Sequence, residues 1–294
     1  MGNDAQVNHD AGTFFYALND DGHAVVTSWQ DNGAEAFVPA EVDGHPITEI
    51  GKHAFFKRHA LRSITLAEGI TKVGDGAFCD CRALDTVSLP NTLKVIGPQA
   101  FEWCASLRSI ALPASLERIS EWAFSGCTAL ASIELPDGLR HLYGHVFSGC
   151  TSLKSATLPA GLDMLEDSVF DGCASLSAIS LPDGLWSIRA CTFRGCSALR
   201  AIALPEGIEI IGDRAFQSCT SLTSVSIPAN VRLIGRWAFM DCTALGSVTL
   251  PERLETLRTA AFKGCTSLRS VMLPHGMVRM EEDVFESWTS VQMR

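Results

Sequence analysis

Cysteine is the residue type in this chain whose spacing most invites a chemical reading. Nine of the eleven stand at one interval: Cys81, Cys104, Cys127, Cys150, Cys173, Cys196, Cys219, Cys242 and Cys265, each 23 residues after the last. Such a series could chelate metal or pair as disulfides. The period argues against both. If 23 residues make one turn of a stacked coil, the thiols lie in a line, about 4.8 Å apart as stacked parallel strands are. In parallel register that separation persists at Cβ, beyond the ~3.8 Å usual in a disulfide. A straight line also cannot wrap four ligands around one zinc ion. The series therefore reads as a buried ladder of small apolar side chains, and no cofactor or metal is expected. Cys79 and Cys191 lie off the register and are the candidates for an exposed, reactive thiol.

Other chemistry is sparse. His141 and His145 have the four-residue spacing of a zinc-binding helix face, but Gly144 lies between them and no glutamate holds the general-base position. The run Asn19-Asp20-Asp21-Gly22 resembles the start of a calcium loop but lacks its distal glutamate, and reads more simply as a turn. Neither a nucleophile elbow nor a phosphate-binding glycine loop nor a dinucleotide fingerprint is present. An enzyme would need convergent polar groups in a pocket, for instance around His45, His53 or His59 near the N-terminal end. It is the least expected class.

The elements that would position any site follow from the same period. Phenylalanine recurs at 55, 78, 101, 124, 147, 170, 193, 216, 239, 262 and 285 without an insertion or deletion. A fixed period in this range marks a stacked repeat. Counting each Phe as zero, apolar residues fall at +3, +6, +9, +11, +15, +18 and +22, as in Cys127, Leu130, Ile133, Leu135, Leu139, Leu142 and Val146. The only two-residue interval, +9 to +11, predicts a strand there, stacked in parallel with its copies. The three-residue intervals before it fit a 3₁₀-like turn. Proline at +12 ends the strand, and glycine at +14 (Gly138, Gly161, Gly184, Gly207) predicts a corner of positive φ. About ten such 23-residue units over 51–294 form one body, the last of them incomplete.

Both ends depart from the pattern. Residues 1–12 are small and polar and predict a flexible tail; residues 13–50 predict a cap and an atypical first unit. In the cap, Thr13–Leu18 and His23–Trp29 flank an Asp-Gly turn and predict a β-hairpin lid over the exposed core. The stretch Val42-Asp43-Gly44-His45-Pro46 contains an extra loop. At the other end Trp288 stands where Cys belongs and Val291 where Leu belongs. Either Trp288 plugs the end, or the strand near Val271–Leu273 is left uncovered, and an uncovered strand invites weak end-to-end dimerisation.

The pattern Leu107-x-x-Ile110-x-Leu112 and its copies resembles the core of leucine-rich repeats. The longer run from Ile211 to Pro228 is similar to the BspA-like subclass, over roughly residues 37–291. That resemblance implies a right-handed repeat solenoid of short parallel β-strands and 3₁₀ or irregular turns. It further implies a non-catalytic adhesion or binding module of a secreted or cell-surface protein, with a protein or glycan ligand. One departure is that +14 is rarely Asn, so the asparagine ladder of other leucine-rich repeats is missing and those backbone groups need another partner. A scaffolding solenoid that self-associates through its ends is the second reading.

The strand face is where a partner would bind. Positions +8 and +10 point outward and form a bed of Ser, Thr and Ala, which reads either as cross-strand packing or as a ligand bed without large anchors. Position +7 carries Arg62, Arg108, Lys154, Arg200 and Arg269; position +13 carries Glu68, Asp137, Asp183, Glu206 and Glu252. One border of the face is thus basic and the other acidic, either orienting a dipolar partner or protecting a sheet edge. Trp122, Trp186, Trp237 and Tyr143 are further candidate contacts outside the inward set.

Composition bounds the partners. The 294 residues are 47% hydrophobic and 19% charged, as in a folded soluble chain, and the formal charge of −10 disfavours nucleic acid or an anionic membrane surface. No apolar run is long enough to insert in a membrane as a helix. The first ten residues lack the features of a signal peptide, which fits either retention inside the cell or export by a signal outside this sequence.

Overall fold

The structure is a computed structural model that describes residues 9–10 and 13–293; the rest of the expected tail lies outside the described residues. The chain coils as a β-solenoid of about 12 turns, and no described residue is helical. The ten phenylalanines from Phe55 to Phe262 are no more than 1% exposed. Their rings, with Phe285, stack one above the next at centroid distances of 4.9–5.8 Å.

The expected hairpin is present: β2 (Phe14–Leu18) pairs antiparallel with β3 (Ala24–Trp29), and a two-residue strand β1 (His9–Asp10) lies on the outer edge of β2. Its turn is held by Asn19, whose Oδ1 accepts the amides of Asp21 and His23 and so serves the backbone. Trp29 supplies the ring above Phe55, 5.3 Å away, so the stack begins one unit before the first repeat phenylalanine. Next, β4 (Glu35–Val38) opens the strand face, and β5 (Glu41–Val42) folds against β6 (His45–Ile50) around Asp43-Gly44. Both turn residues have positive φ, 49° and 80°, as a tight two-residue hairpin requires.

Strands form at the predicted positions, but the ladder is not continuous. Ser63–Leu66 and Thr86–Ser88 extend β4; Ser132–Glu134 pairs with Ser155–Thr157, and Ser224–Ser226 with Ser247–Thr249. The units at Ser109–Ala111, Ala178–Ser180 and Ala201–Ala203 have no strand. These are the units with alanine at +8 or +10; every unit that keeps its strand has none. Alanine is a poor strand residue, with no branch to pack on its cross-strand neighbours. Replacing Ala201 and Ala203 together by Thr is expected to extend the Ser224–Ser226 ladder by one unit and stabilise the fold by about 0.5–1 kcal/mol, measured as a rise in the denaturant midpoint. An unchanged midpoint would refute that cause.

A second parallel ladder, not anticipated from the sequence, runs at +17 and +18. It consists of Lys72–Val73, Val95–Ile96, Arg118–Ile119 and His141–Leu142, then Ser187–Ile188, Ile210–Ile211, Leu233–Ile234, Thr256–Leu257 and Arg279–Met280. The first run continues through β6 into the hairpin, giving the longest sheet of the molecule. Each strand has two residues, in most of them one inward, so it shows no alternation to read. The ladder is open between Leu142 and Leu165, where Leu165 bridges only Ile188.

The turns also differ from expectation. Of the +14 glycines only Gly69 has positive φ (100°), and those named above do not; the other left-handed residues of the repeats stand at −2 and +2, as in Trp122 (62°), Trp237 (57°), Gly126 (70°) and Gly149 (72°). This geometry lets alternate amides serve different partners. Phe124 and Gly126 donate to the next turn, at Val146 and Ser148, while Ser125 and Cys127 donate back to Trp122 and Phe124. At the +14 corner Gly138 serves close approach instead, because a Cβ there would lie 2.8 Å from the Ala114 carbonyl oxygen. The missing asparagine ladder is replaced by a turn on the proline: the +12 carbonyl accepts the +15 amide, as from Leu139 to Pro136 at 3.0 Å.

The buried thiol ladder is present, with a feature the spacing did not reveal. Each ladder Sγ–H donates to the carbonyl of the phenylalanine one turn earlier, as Cys150 to Phe124 at 3.2 Å and Cys219 to Phe193 at 3.1 Å. Cys79, expected to be exposed, is buried instead, with Sγ 3.8 Å from Glu102. Its pKa is pushed up to about 11 by desolvation and then by the nearby carboxylates of Glu102 and Asp80. Cys191 alone is half-buried. Native protein is expected to react with one equivalent of a thiol reagent at neutral pH and with eleven once denatured. Rapid labelling of three or more in the native state would contradict the ladder.

At the far end Trp288 is 49% exposed and does not plug the core. The last unit is three residues short: Ser290–Met293 pairs with Ser270–Leu273 at an offset of 20. The turn that would carry the +3 side chain inward is truncated, and Trp288 swings out. Phe285 continues the ring stack, and the strand at Ser270–Leu273 is covered after all.

Candidate binding surface

The strand face is built by the alternation of each short strand. In Ser132-Ile133-Glu134 the middle residue is buried and its neighbours are exposed, and the same pattern recurs at Thr86–Ser88, Ser155–Thr157 and Ser224–Ser226. Inward Val, Ile and Ala anchor the strand, leaving a floor of hydroxyls and methyls. Arg62, Arg108, Lys154, Arg200 and Arg269 stand exposed at one end of these strands; Glu68, Asp137, Asp183, Glu206 and Glu252 stand exposed at the other. Backbone bonds hold the basic row in line, since the amides of Asp85, Ala131, Lys154, Ser177 and Thr223 each donate to the +7 carbonyl one turn earlier.

Some cations off this face have carboxylate partners, as Lys72 with Glu49, Lys94 with Glu117, Arg189 with Glu166 and Asp167, Arg194 with Asp171, and Lys263 with Asp283, while exposed Lys52, Arg118 and Arg140 enter no ion pair with any described residue. Among the described residues no ion pair includes Arg62, Arg108, Lys154, Arg200 or Arg269. Arg62 and Arg108 flank a groove of about 440 Å³, floored by Ala83, Ala105 and Ala129, with Asp85 between the two cations. Asp85 is held by Thr86, whose Oγ1 donates to it at 2.8 Å. On the acidic border Glu68 accepts both the backbone and side-chain N–H of Asn91 at 3.0 Å.

The aromatic candidates do not join this face. Trp122 stacks on His145 with centroids 3.8 Å apart and planes 5° from parallel, and Arg214 lies 4.5 Å above the Trp237 ring. Both tryptophans occupy the left-handed −2 position, where a side chain projects along the stack and covers its neighbour. Trp186 is 47% exposed, at another position of the repeat. Tyr143 lies 6.2 Å from His141, beside a notch of about 190 Å³ with Arg140, Asp163, Met164 and Glu166, where the second ladder is open. Thus His141 and His145 take different aromatic partners and do not converge. His45 bonds the Gly22 carbonyl, His53 packs on Phe56, and His59 faces Asp80, so these three are dispersed as well.

The comparisons agree with this architecture. The pattern of the BspA type leucine rich repeat region matches residues 48–177 and 163–292, in 6 copies. A leucine rich cell surface protein from Faecalibacterium prausnitzii is similar in structure, with 29% identity, a TM-score of 0.74, and 97% of this chain and 87% of that one covered. A leucine-rich repeat protein from Bacteroides ovatus has 25% identity, the same TM-score of 0.74 and the same coverage of 97% and 87%. The leucine rich repeat protein of T. pallidum has 27% identity and a TM-score of 0.56 over 74% of this chain and 91% of its own. No curated protein matches the sequence. With stacked Phe and Cys ladders, short parallel strands and a family match over most of its length, the chain belongs to the BspA-type leucine-rich-repeat family.

Proposed function

We propose that this chain is a non-catalytic binding module, borne by a cell-surface or secreted protein, that holds a protein or glycan ligand against its strand face. The observation that carries this reading is the pair of charged rows, basic at +7 and acidic at +13, that border an exposed floor of small side chains. The basic row enters no ion pair among the described residues, so no existing pair has to be broken when it meets a ligand. The rigid stack beneath keeps the two borders fixed, which lowers the ordering cost of binding. The cell-surface location is supported by the F. prausnitzii relative, which is described as such.

The test is an array of matrix proteins and glycans probed with wild type and with Ser132→Trp/Ser155→Trp, which places two bulky rings on the exposed floor. A ligand of the strand face should bind the double variant at least tenfold more weakly, with unchanged circular dichroism and thermal midpoint. Lys94→Ala, off the face, should bind as wild type. Ligands that ignore the floor variant would overturn the reading.

A second reading, self-association through the ends, is favoured by one observation. The C-terminal end exposes Val278 (82%), Met280, Trp288, Val291 and Met293 beside a strand with one free edge. Light scattering that stays monomeric at high concentration would remove it.

A further inference from the structure

The basic border has a spacing of its own. Arg62, Arg108, Lys154 and Arg200 are each 46 residues apart, two turns of the 23-residue coil, with Asp85, Ala131 and Ser177 at the intervening +7 positions. Strand neighbours lie about 4.8 Å apart, so these four cations recur about every 10 Å along the stack. Inside that row runs the +8 line of hydroxyls, Ser63, Thr86, Ser109, Ser132 and Ser155, and the groove between Arg62 and Arg108 follows the same direction.

We infer that this row binds an extended acidic polysaccharide carrying one carboxylate per disaccharide, laid parallel to the solenoid axis with one acid group at every second turn. The inference rests on the proposed strand-face function and names its ligand class. A β-linked hexose ribbon is close to two-fold, so acids on alternate sugars emerge from one edge once per disaccharide, a length near that of two turns. Arg62, Arg108 and Arg200 can each take a carboxylate by two parallel N–H bonds, and Lys154 by a point charge. The neutral sugar between successive acids falls opposite Asp85, Ala131 or Ser177, where a second anion would meet no cation. The serine and threonine hydroxyls beside the row can donate to and accept from sugar hydroxyls. An acidic peptide fits less well. Side chains on one face of an extended chain recur at about 6.7 Å, which falls out of step with a spacing of about 10 Å after the first contact.

Hyaluronan oligosaccharides, with one carboxylate per disaccharide, are a suitable probe of the full chain, measured by calorimetry at low and physiological salt. Binding is expected, weakening with salt, and Arg108→Ala or Lys154→Ala should each weaken it about fivefold, the effect of about 1 kcal/mol. The decisive variant is Arg108→Ala/Ala131→Arg, which keeps the charge and moves one cation by a single turn. It should bind about as weakly as Arg108→Ala alone, and carboxyl-reduced hyaluronan should not bind. Wild-type affinity in the shifted variant would show that charge matters and spacing does not, overturning the inference. Equal binding of polyglutamate, or no binding of hyaluronan, would also overturn it. Failure of the broader reading looks different: there the floor variant Ser132→Trp/Ser155→Trp leaves every array ligand unaffected.

Discussion

Above pH 9 the protein is expected to unfold without denaturant, over a range narrower than one pH unit. The cause is the thiol ladder. Desolvation holds Cys81 and Cys150 up at about 12, and burial raises Cys104, Cys127, Cys173, Cys196 and Cys265. For Cys242 the side-chain hydrogen bond it makes to Cys219 comes first and burial second, both raising it. Unfolded thiols ionise near pH 8.5. Between that value and the raised folded values the unfolded chain binds fewer protons than the native one, so stability falls as pH rises. Each such thiol contributes up to about 1.4 kcal/mol per pH unit. Eight together give a slope of roughly 11 kcal/mol per pH unit, as large as the whole stability of a typical domain, about 5–15 kcal/mol. Below pH 8 the ladder contributes its full stabilisation. Thermal melts under reducing conditions should therefore hold level from pH 6 to 8 and collapse by about pH 10. Replacing Cys127, Cys150 and Cys173 by Val should move that collapse upward. A melting temperature unchanged between pH 8 and pH 10 would show that the thiols are not buried as a ladder.

The same ladder shows what a repeat makes legible. Position zero is buried from Phe55 to Phe262 and +3 from Cys81 to Cys265, so many copies average away local variation and Phe124 or Cys127 can be placed from spacing alone. The strand at Ser132–Glu134 was readable because three residues suffice to alternate. At His141–Leu142 two residues do not alternate, and a ladder that sets the longest sheet left no mark. The left-handed −2 position was hidden for a different reason. Gly76 aside, it is occupied by residues such as Trp122, His145, Ser168, Arg214 and Trp237, not the glycine by which positive φ is usually recognised. The phenylalanine stack and inter-turn hydrogen bonds impose that backbone, and local preference yields to them. At the candidate surface the two charged rows were visible as rows. That the basic row enters no ion pair, while Lys72, Lys94 and Arg194 find carboxylates, needs three dimensions.

Those two kinds of contact, continuous ladders and stacked rings, weaken at the same place, and truncating Phe147 there is expected to divide the molecule. In a stacked repeat each unit contacts only its neighbours, so cooperativity passes through every interface in turn. Around Phe147 the ring spacings are at the wide end of the stack, 5.8 Å to Phe124 and 5.7 Å to Phe170. The second ladder is open between Leu142 and Leu165, and the strand-face ladder has no strand at Ala178–Ser180. Phe147→Ala removes a fully buried ring and should cost about 3–5 kcal/mol. Because little else couples the units on either side, the loss should split denaturant unfolding into two transitions. Phe78→Ala removes the same group where the second ladder is continuous, its ring 4.9 and 5.2 Å from its neighbours. It should cost a similar amount yet leave the coupling between halves intact. Hydrogen exchange resolves the two cases: in Phe147→Ala, amides of Val95–Ile96 and Leu233–Ile234 should exchange with different opening energies, while in Phe78→Ala the two sets keep their wild-type difference. A single coincident transition in Phe147→Ala would mean that backbone bonds such as Phe147 to Val169 carry the coupling through the gap without the ring.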